Sequence, residues 1–330
     1  MAKRVALLTG GWSAERQVSL TKGKAVEAAL RAGGYDVTVI DVRKDLPALI
    51  AALTPKPDVV FCNLYGRGGE DGTIQSVLEI LEIPYTHSGP LASAIAMDKP
   101  ATKVMAASVG VPSPEGVTAS KADVLAGKVM SAPYVVKPTN EGSSVGVRII
   151  MENDNQMPLD EQNWAYGEQV LVERYIPGRE LTVAVLDGKA QGVTEIVSQT
   201  RFFDYEAKYN DTRTEYVLPA KVSQDVYAMA LDYAERVYNV LGCAGIARCD
   251  FRYDDSKPGV SGLFLLEINT QPGLTAESIG PSQVIRNGKT FVDLCSHLVE
   301  TARCHAENQK PAPAAAPSSS ATSVRQKMLA

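Results

Sequence analysis

The chain opens with three short apolar runs, residues 4–9 (RVALLT), 37–41 (VTVID) and 58–63 (DVVFCN). Their length and β-branched content predict strands. Between the first two, apolar positions recur at helical spacing over about residues 14–32 and stop at Gly33-Gly34, where a helix end is expected. Strand, helix and strand at this spacing predict a parallel βαβ unit and place the fold in the α/β class. A second α/β segment follows MDKPATKVMAASVGVP and closes with a strand at EQVLVERYI. From Glu180 onward, ELTVAVLDGKAQGV reads as strand, Asp-Gly turn and strand, the pattern of a hairpin. A helix over about residues 223–241 follows, then two strands around IARCDFRYD and GLFLLEINT. Beyond Lys310, PAPAAAPSSSATS offers too little apolar surface for a core and is expected to be a disordered tail.

Composition narrows the class of function. The 330 residues suffice for two or three domains,. Hydrophobic content of 45% and charged content of 22% are those of an ordinary globular protein,. A net charge of −5 argues against bulk nucleic-acid or acidic-membrane binding,. No apolar run is long enough to span a bilayer,, and MAKRVALLTGG is expected to be a first strand rather than a signal peptide, because Gly10, Gly11 and Glu15 interrupt it,. The five cysteines are odd in number and form no C-x-x-C pair, so reduced thiols in a cytoplasmic protein are expected. The three histidines sit in no ligand or triad pattern.

Two stretches carry chemistry. In YVVKPTNEGSSVGV an apolar run ends in Lys137 and gives way to a loop of glycine and serine. Glycines let backbone N–H groups approach an anion, serines add donors and the lysine adds a charge, so a phosphate-gripping hairpin is expected. In ARCDFRYD, Arg248 and Asp250 share one strand face; in FLLEINTQPG, Glu267 and Asn269 do the same,. If those strands are neighbours, Asp250, Glu267 and Asn269 converge as an all-oxygen set suited to Mg²⁺. Each polar residue interrupts an otherwise apolar strand, which argues against a merely solvated hairpin. No Walker A sequence or kinase catalytic loop is present,.

KPTNEGSSVGV, VLVERYIPGREL, YEAKY, ARCDF and LEINTQPGLT occur in that order, with GGWSAERQVSL, YGRGGEDGTIQ and MDKPATK before them. Together they resemble the ATP-grasp enzymes and, within them, the D-alanine–D-alanine ligase family, over roughly residues 4–300. The resemblance implies a three-domain ATP-grasp ligase, with residues 1–96 an N-terminal α/β domain, 97–179 a central subdomain, 180–310 a C-terminal metal-bearing subdomain and 311–330 the tail. ATP would lie between the central and C-terminal α+β domains. It implies ATP and D-alanine as substrates, two Mg²⁺ ions with Mn²⁺ able to replace them, and a cytoplasmic homodimer. Residue by residue, Lys99 and Lys137 would bind phosphates under the 142–146 loop with Ser143 and Ser144. Glu173 would meet the adenine amino group, the backbone of Arg174, Tyr175 and Ile176 its edge, and Glu180 the ribose. Lys208 and Tyr209 would lie on a closing loop, Lys208 toward ATP, and Ser143 and Tyr209 would orient Glu15 on the first amino group. Arg248 and the Gly273 N–H would hold the tetrahedral oxyanion, and Ser278 the second carboxylate. Asp250, Glu267 and Asn269 would hold metal.

Other readings compete. A ligase of the same fold forming D-alanine–D-lactate is the nearest, and the Lys208-Tyr209 pair resembles the dipeptide-forming type instead. A nicotinamide oxidoreductase is imitated by LLTGG and by Asp41 at the end of the second strand, but the G-x-G-x-x-G spacing is missing,. A non-catalytic ATP-binding module fits poorly with an intact acidic set and Arg248. One position departs from the family pattern: Tyr65 precedes Gly-Arg-Gly-Gly-Glu-Asp-Gly where many relatives place histidine. Tyrosine can position substrate through its hydroxyl or pack beneath the loop, and its reference pKa of about 10 replaces one of about 6.5. Acid-side pH dependence from this position is therefore expected to be absent. A Tyr65→His variant should add an acid limb to the pH–rate profile, and an unchanged profile would count against that expectation.

Overall fold

Three β-sheets carry the chain. The computed structural model describes residues 2–142, 146–152, 164, 166–197 and 214–305. The expected tail from residue 311 lies outside them.

Strand β1 (Arg4–Gly10), helix α1 (Arg16–Ala32) and strand β2 (Asp36–Val42) form the parallel βαβ unit predicted from the sequence. Helix α2 (Leu46–Ala52) leads to β3 (Val59–Cys62), which lies parallel on the other side of β1 to give the order β2-β1-β3. The two-residue period of β1 sends Val5 and Leu7 to one core and Ala6 and Leu8 to another,. α1 buries Ser19, Gly23, Val26 and Leu30, a four-three-four spacing that makes one continuous helix face,. Gly10 turns the chain at φ +86°, where a Cβ would fall 2.3 Å from an Asp41 oxygen. Only glycine fits there. Asp41 itself is held by Arg16 at 2.8 Å and Arg43 at 3.0 Å.

Helices α3 (Thr73–Ile80), α4 (Pro90–Met97) and α5 (Lys99–Ser108) follow. α5 starts at Asp98, whose carboxylate accepts from the Ala101 N–H at 2.8 Å, with Pro100 in the first turn,. Strand β4 (Gly116–Ser120), helix α6 (Lys121–Leu125), and strands β5 (Tyr134–Pro138), β6 (Arg148–Ile150) and β7 (Gln169–Arg174) then build an antiparallel sheet in the order β4-β7-β5-β6.

Strands β8 (Arg179–Leu186) and β9 (Lys189–Val197) are the expected hairpin, turning at Asp187 (φ +47°) and Gly188 (φ +80°). They continue with β10 (Glu215–Val217), α7 (Gln224–Leu241), β11 (Ile246–Tyr253) and β12 (Leu263–Asn269). This antiparallel sheet has the order β10-β9-β8-β11-β12. α7 packs Val226, Ala230, Ala234 and Val237 against it. Helices α8 (Ile279–Arg286) and α9 (Phe291–Glu300) close the described chain, and α9 returns to the first sheet through Leu294, Cys295 and Leu298. All five cysteines are buried without a disulfide, and burial pushes the Cys62, Cys243 and Cys295 thiols up to about 12. No described helix is long and apolar enough to cross a membrane.

Leu30 is fully buried between α1, the first sheet and α9. Leu30→Ala is expected to cost about 2–5 kcal/mol of stability, read as a lower urea midpoint with an unchanged slope.

Candidate active site

Two cavities meet where the second and third sheets face each other, and Glu180 and Asp250 line both. The first, of about 70 Å³, is bounded by β5, β7 and the β11–β12 pair. It gathers Lys99, Lys137, Glu173, Arg174, Tyr175, Ile176 and Glu180 with Asp250 and Glu267. Val135, Ile149 and Leu266 give it an apolar lining, such as a flat heterocycle would require. The second, of about 270 Å³, reaches the N-terminal sheet and brings in Glu15, Tyr65, Arg248, Gly273 and Ser278. Residues separated by up to 263 positions, from Glu15 to Ser278, thus line one space. Ser143, Ser144, Lys208 and Tyr209 lie outside the described residues.

Strand register explains the acidic set. β11 and β12 are antiparallel neighbours with Arg248 opposite Asn269 and Asp250 opposite Glu267, followed by a bulge. The Arg248 guanidinium grips Asp250 with two hydrogen bonds, 2.8 and 2.7 Å, the strong bidentate geometry. Thr182 donates to the same carboxylate at 2.6 Å and the Asn269 amide at 3.1 Å. Glu267 faces the Lys99 ammonium at 3.2 Å. An Asp, a Glu and an Asn side by side are an oxygen-donor set that suits Mg²⁺, and each carboxylate already faces a cationic side chain. The residues present therefore fit a hard divalent cation. Among the described residues, no group of three or more His, Cys, Asp or Glu stands close enough to hold one without the asparagine.

On the opposite wall, the Glu173 carboxylate is buried between Lys137 and Lys103. Burial opposes its ionisation, but Lys137 and Lys103 outweigh that and hold it below the usual carboxylate range. Lys103 escaped the sequence reading. Its signal was its place one helical turn beyond Lys99 in MDKPATK, which puts both ammoniums on one face of α5,. Lys99 also donates to the Glu141 carbonyl at 2.6 Å and so anchors the entrance of the glycine-serine loop.

The connection after β7 is clamped by Arg252, the next residue on the face that carries Arg248 and Asp250. Its guanidinium donates to the Ile176 carbonyl at 3.1 Å and the Gly178 carbonyl at 2.9 Å, and lies 3.7 Å from Glu180. The Arg174 N–H donates to Glu115 and the Tyr175 N–H to Pro133.

In the larger cavity, the Glu15 carboxylate lies against Gly66 and Gly142, where added Cβ atoms would fall 2.7 and 3.2 Å from its oxygen. Glu70, also missed from the sequence, accepts from the Gly66 N–H, and burial with the Glu15 charge pushes it well above the usual carboxylate range. Tyr65 is held by contacts within the protein itself. It is buried, and its hydroxyl donates to the Asn63 side chain at 2.8 Å while accepting from the Leu274 N–H at 3.2 Å. The hydroxyl thereby ties the N-terminal sheet to the turn that carries Gly273. Ser278 stands at the N-cap position of α8, and its oxygen accepts from the Thr275 N–H at 3.2 Å rather than from the helix.

A family model described as "D-ala D-ala ligase C-terminus" matches residues 108–300. A D-alanine–D-alanine ligase from Rhodospirillum rubrum is 51% identical over 307 residues, covering 93% of this chain and all of that protein. The chain belongs to the D-alanine–D-alanine ligase family. Two solved structures agree with that placement. A D-alanine–D-alanine ligase from Bacillus anthracis complexed with ATP superposes with a TM-score of 0.75 at 31% identity, covering 91% of this chain and 97% of that one. VanG, a D-Ala:D-Ser ligase from Enterococcus faecalis, superposes with a TM-score of 0.75 at 26% identity over 91% of this chain and 99% of that one. The fold is accordingly the ATP-grasp fold of this ligase family.

The Glu173 cluster makes a stability prediction with a definite pH window. A carboxylate whose pKa is depressed on folding stabilises above its unfolded pKa of about 4.3, and that contribution fades as pH falls through the folded value. Lys103→Met leaves only Lys137 beside Glu173, so a loss approaching about 3 kcal/mol is expected at pH 7. The difference from wild type should shrink below about pH 4 in urea titrations run at several pH values.

Proposed function

We propose that the protein joins two D-alanines at the expense of ATP, through a D-alanyl phosphate, to supply D-alanyl-D-alanine for peptidoglycan precursors in the cytoplasm. The single observation that carries this is the meeting of the two cavities at Asp250 and Glu180. A phosphate-binding wall of lysines opens there directly onto a chamber with an amine-binding carboxylate at one end and carboxylate- and oxyanion-binding groups at the other. Its three sheets would mark three domains divided near residues 96 and 179, and a homodimer is the expected assembly.

In this reading adenine lies between Val135, Ile149 and Leu266, with its edge on the Ile176 backbone and Glu173 and its ribose on Glu180. Lys99 and Lys137 bind the phosphates, and the family resemblance assigns Ser143, Ser144 and Lys208, which lie outside the described residues, to the same role. Asp250, Glu267 and Asn269 would hold Mg²⁺, which when bound neutralises phosphate charge. Glu15, oriented by Ser143 and Tyr209, holds the first D-alanine by its ammonium and so aims its carboxylate at the γ-phosphate. A carboxylate oxygen forms the new P–O bond as the β–γ bridge breaks and ADP leaves. The second D-alanine, its ammonium having lost one proton to solvent, forms the C–N bond through its nitrogen lone pair and gives up a second proton to solvent, leaving a tetrahedral centre whose oxyanion faces Arg248 and the Gly273 N–H. Collapse breaks the C–O bond and expels phosphate. No enzyme nucleophile is needed, in keeping with a site that offers no nucleophile–base pair among its described residues.

The test is phosphate release from Mg-ATP with D-alanine alone, with L-alanine alone, and with D-alanine plus D-lactate. Release with D-alanine alone, together with a dipeptide in the mass spectrum, is the expected result. Dependence on D-lactate would move the activity to depsipeptide formation, and silence in all three arms would overturn the substrate assignment.

A further inference from the structure

We propose that Lys22 is a substrate-binding residue that anchors the carboxylate of the second amino acid together with Ser278. This rests on the ligase reading above and adds to it a residue on which neither the family motifs nor the sequence pattern drew.

Lys22 reaches the larger cavity because of its place on α1. Glu15, Val18 and Lys22 line that cavity at spacings of three and four residues, one face of the helix,. The Lys22 ammonium lies 5.7 Å from the centre of the Tyr65 ring, a cation–π contact that aims the long stem inward,. At its far end the ammonium rests against Gly273. A Cβ built on Gly273 would fall 2.1 Å from Lys22 Nζ and 3.5 Å from Ser278 Oγ. Glycine therefore does two things at this position: it leaves room for the ammonium, and it leaves Lys22 Nζ and Ser278 Oγ flanking one spot. The two oxygens of a single carboxylate can reach both.

The electrostatics of the spot call for an anion. Arg248 faces the same cavity, and burial together with its charge pushes Lys22 down to about 8. An anion at this spot would have the Lys22 ammonium beside it and Arg248, itself held by Asp250, across the cavity. Glu15 and Glu70 act on Lys22 in the opposite sense. In the ligase reading, Glu15 is committed to the first ammonium. Ser278 stands at the N-terminus of α8, where the helix dipole also favours negative charge,. A serine hydroxyl and a helix end are neutral groups, and a carboxylate drawn out of water is held far better by a charge-assisted bond. Lys22 supplies that charge next to the glycine whose N–H faces the oxyanion. The same contact sets where the attacking amine can stand.

The experiment compares wild type with Lys22→Met, which keeps the stem and removes the charge, and with Lys22→Arg, which keeps the charge. Steady-state kinetics are measured with D-alanine and with D-alaninamide as second substrate, the amide lacking the carboxylate. Lys22→Met should raise the KM for the second D-alanine by about 10- to 100-fold, leave the KM for ATP within about twofold, and erase the wild type's preference for D-alanine over D-alaninamide. Lys22→Arg should restore part of that preference. An unchanged KM for the second D-alanine, or an equal loss with D-alanine and D-alaninamide, would overturn the assignment by showing no role or a merely structural one. Should Lys22→Met not fold, Lys22→Gln carries the same comparison, and a wild type with no preference between the two acceptors is itself a refutation. A wild type that forms no dipeptide at all overturns the ligase reading, and the role of Lys22 with it.

Discussion

Two lysines one helical turn apart hold the site together. Lys99 and Lys103 project from α5, and each meets a carboxylate of a different sheet: Lys99 faces Glu267 of β12, and Lys103 faces Glu173 of β7. The spacing between those sheets is the width of the smaller cavity. A helix capped at Asp98 and started by Pro100 has its first turn fixed in direction,, and the helical spacing of Lys99 and Lys103 places both ammoniums on one face. Lys137 on β5 completes the pairing from within the second sheet. Removing any of these charges leaves a buried opposite charge behind, which costs far more than the net worth of the pair.

The facing sheet is organised by register instead. Arg248, Asp250 and Arg252 stand on one face of β11. Each has a separate job: Arg248 grips Asp250, Asp250 faces Glu267 across the ladder, and Arg252 clamps the chain after β7. The bulge after Asp250 falls between the second and third of these. Slipping the pairing by one residue would turn all three side chains into the core against α7. The apolar residues between them, Cys249 and Phe251, are fully buried in that core and resist the slip.

Much of this was legible in the sequence because it depends on local rules. The βαβ unit follows from strand and helix periods, and its observed limits differ from the expected ones by a residue or two. The β8–β9 hairpin follows from Asp187-Gly188, a pair that tolerates the positive φ the turn needs,. The approach of Asp250 to Glu267 required only that two strands be neighbours. What escaped notice depends on contacts between distant elements. Lys103, Arg252 and Lys22 are ordinary surface-type residues in a linear reading, and only the closing of α5 on β7, of β11 on the Ile176–Gly178 turn, and of α1 on Gly273 gives them partners. Tyr65 shows the limit from the other side. Its departure from the family pattern was visible, yet its hydrogen bond to the Leu274 N–H spans 209 residues and lay beyond any local signal.

The pairing of Lys99 with Glu267 and of Lys137 with Glu173 also gives the cleft the character of an ion exchanger in miniature. Each lysine there already has an internal counter-ion, so a bare anion must compete with a carboxylate for it and leave that carboxylate less compensated,. In the ligase reading proposed above, a nucleotide arriving with its divalent cation would bring replacements of both signs at once, phosphates for the lysines and metal for Glu267 and Asp250. Discrimination against free phosphate, sulfate or uncomplexed nucleotide would then reside in the resting pairs themselves.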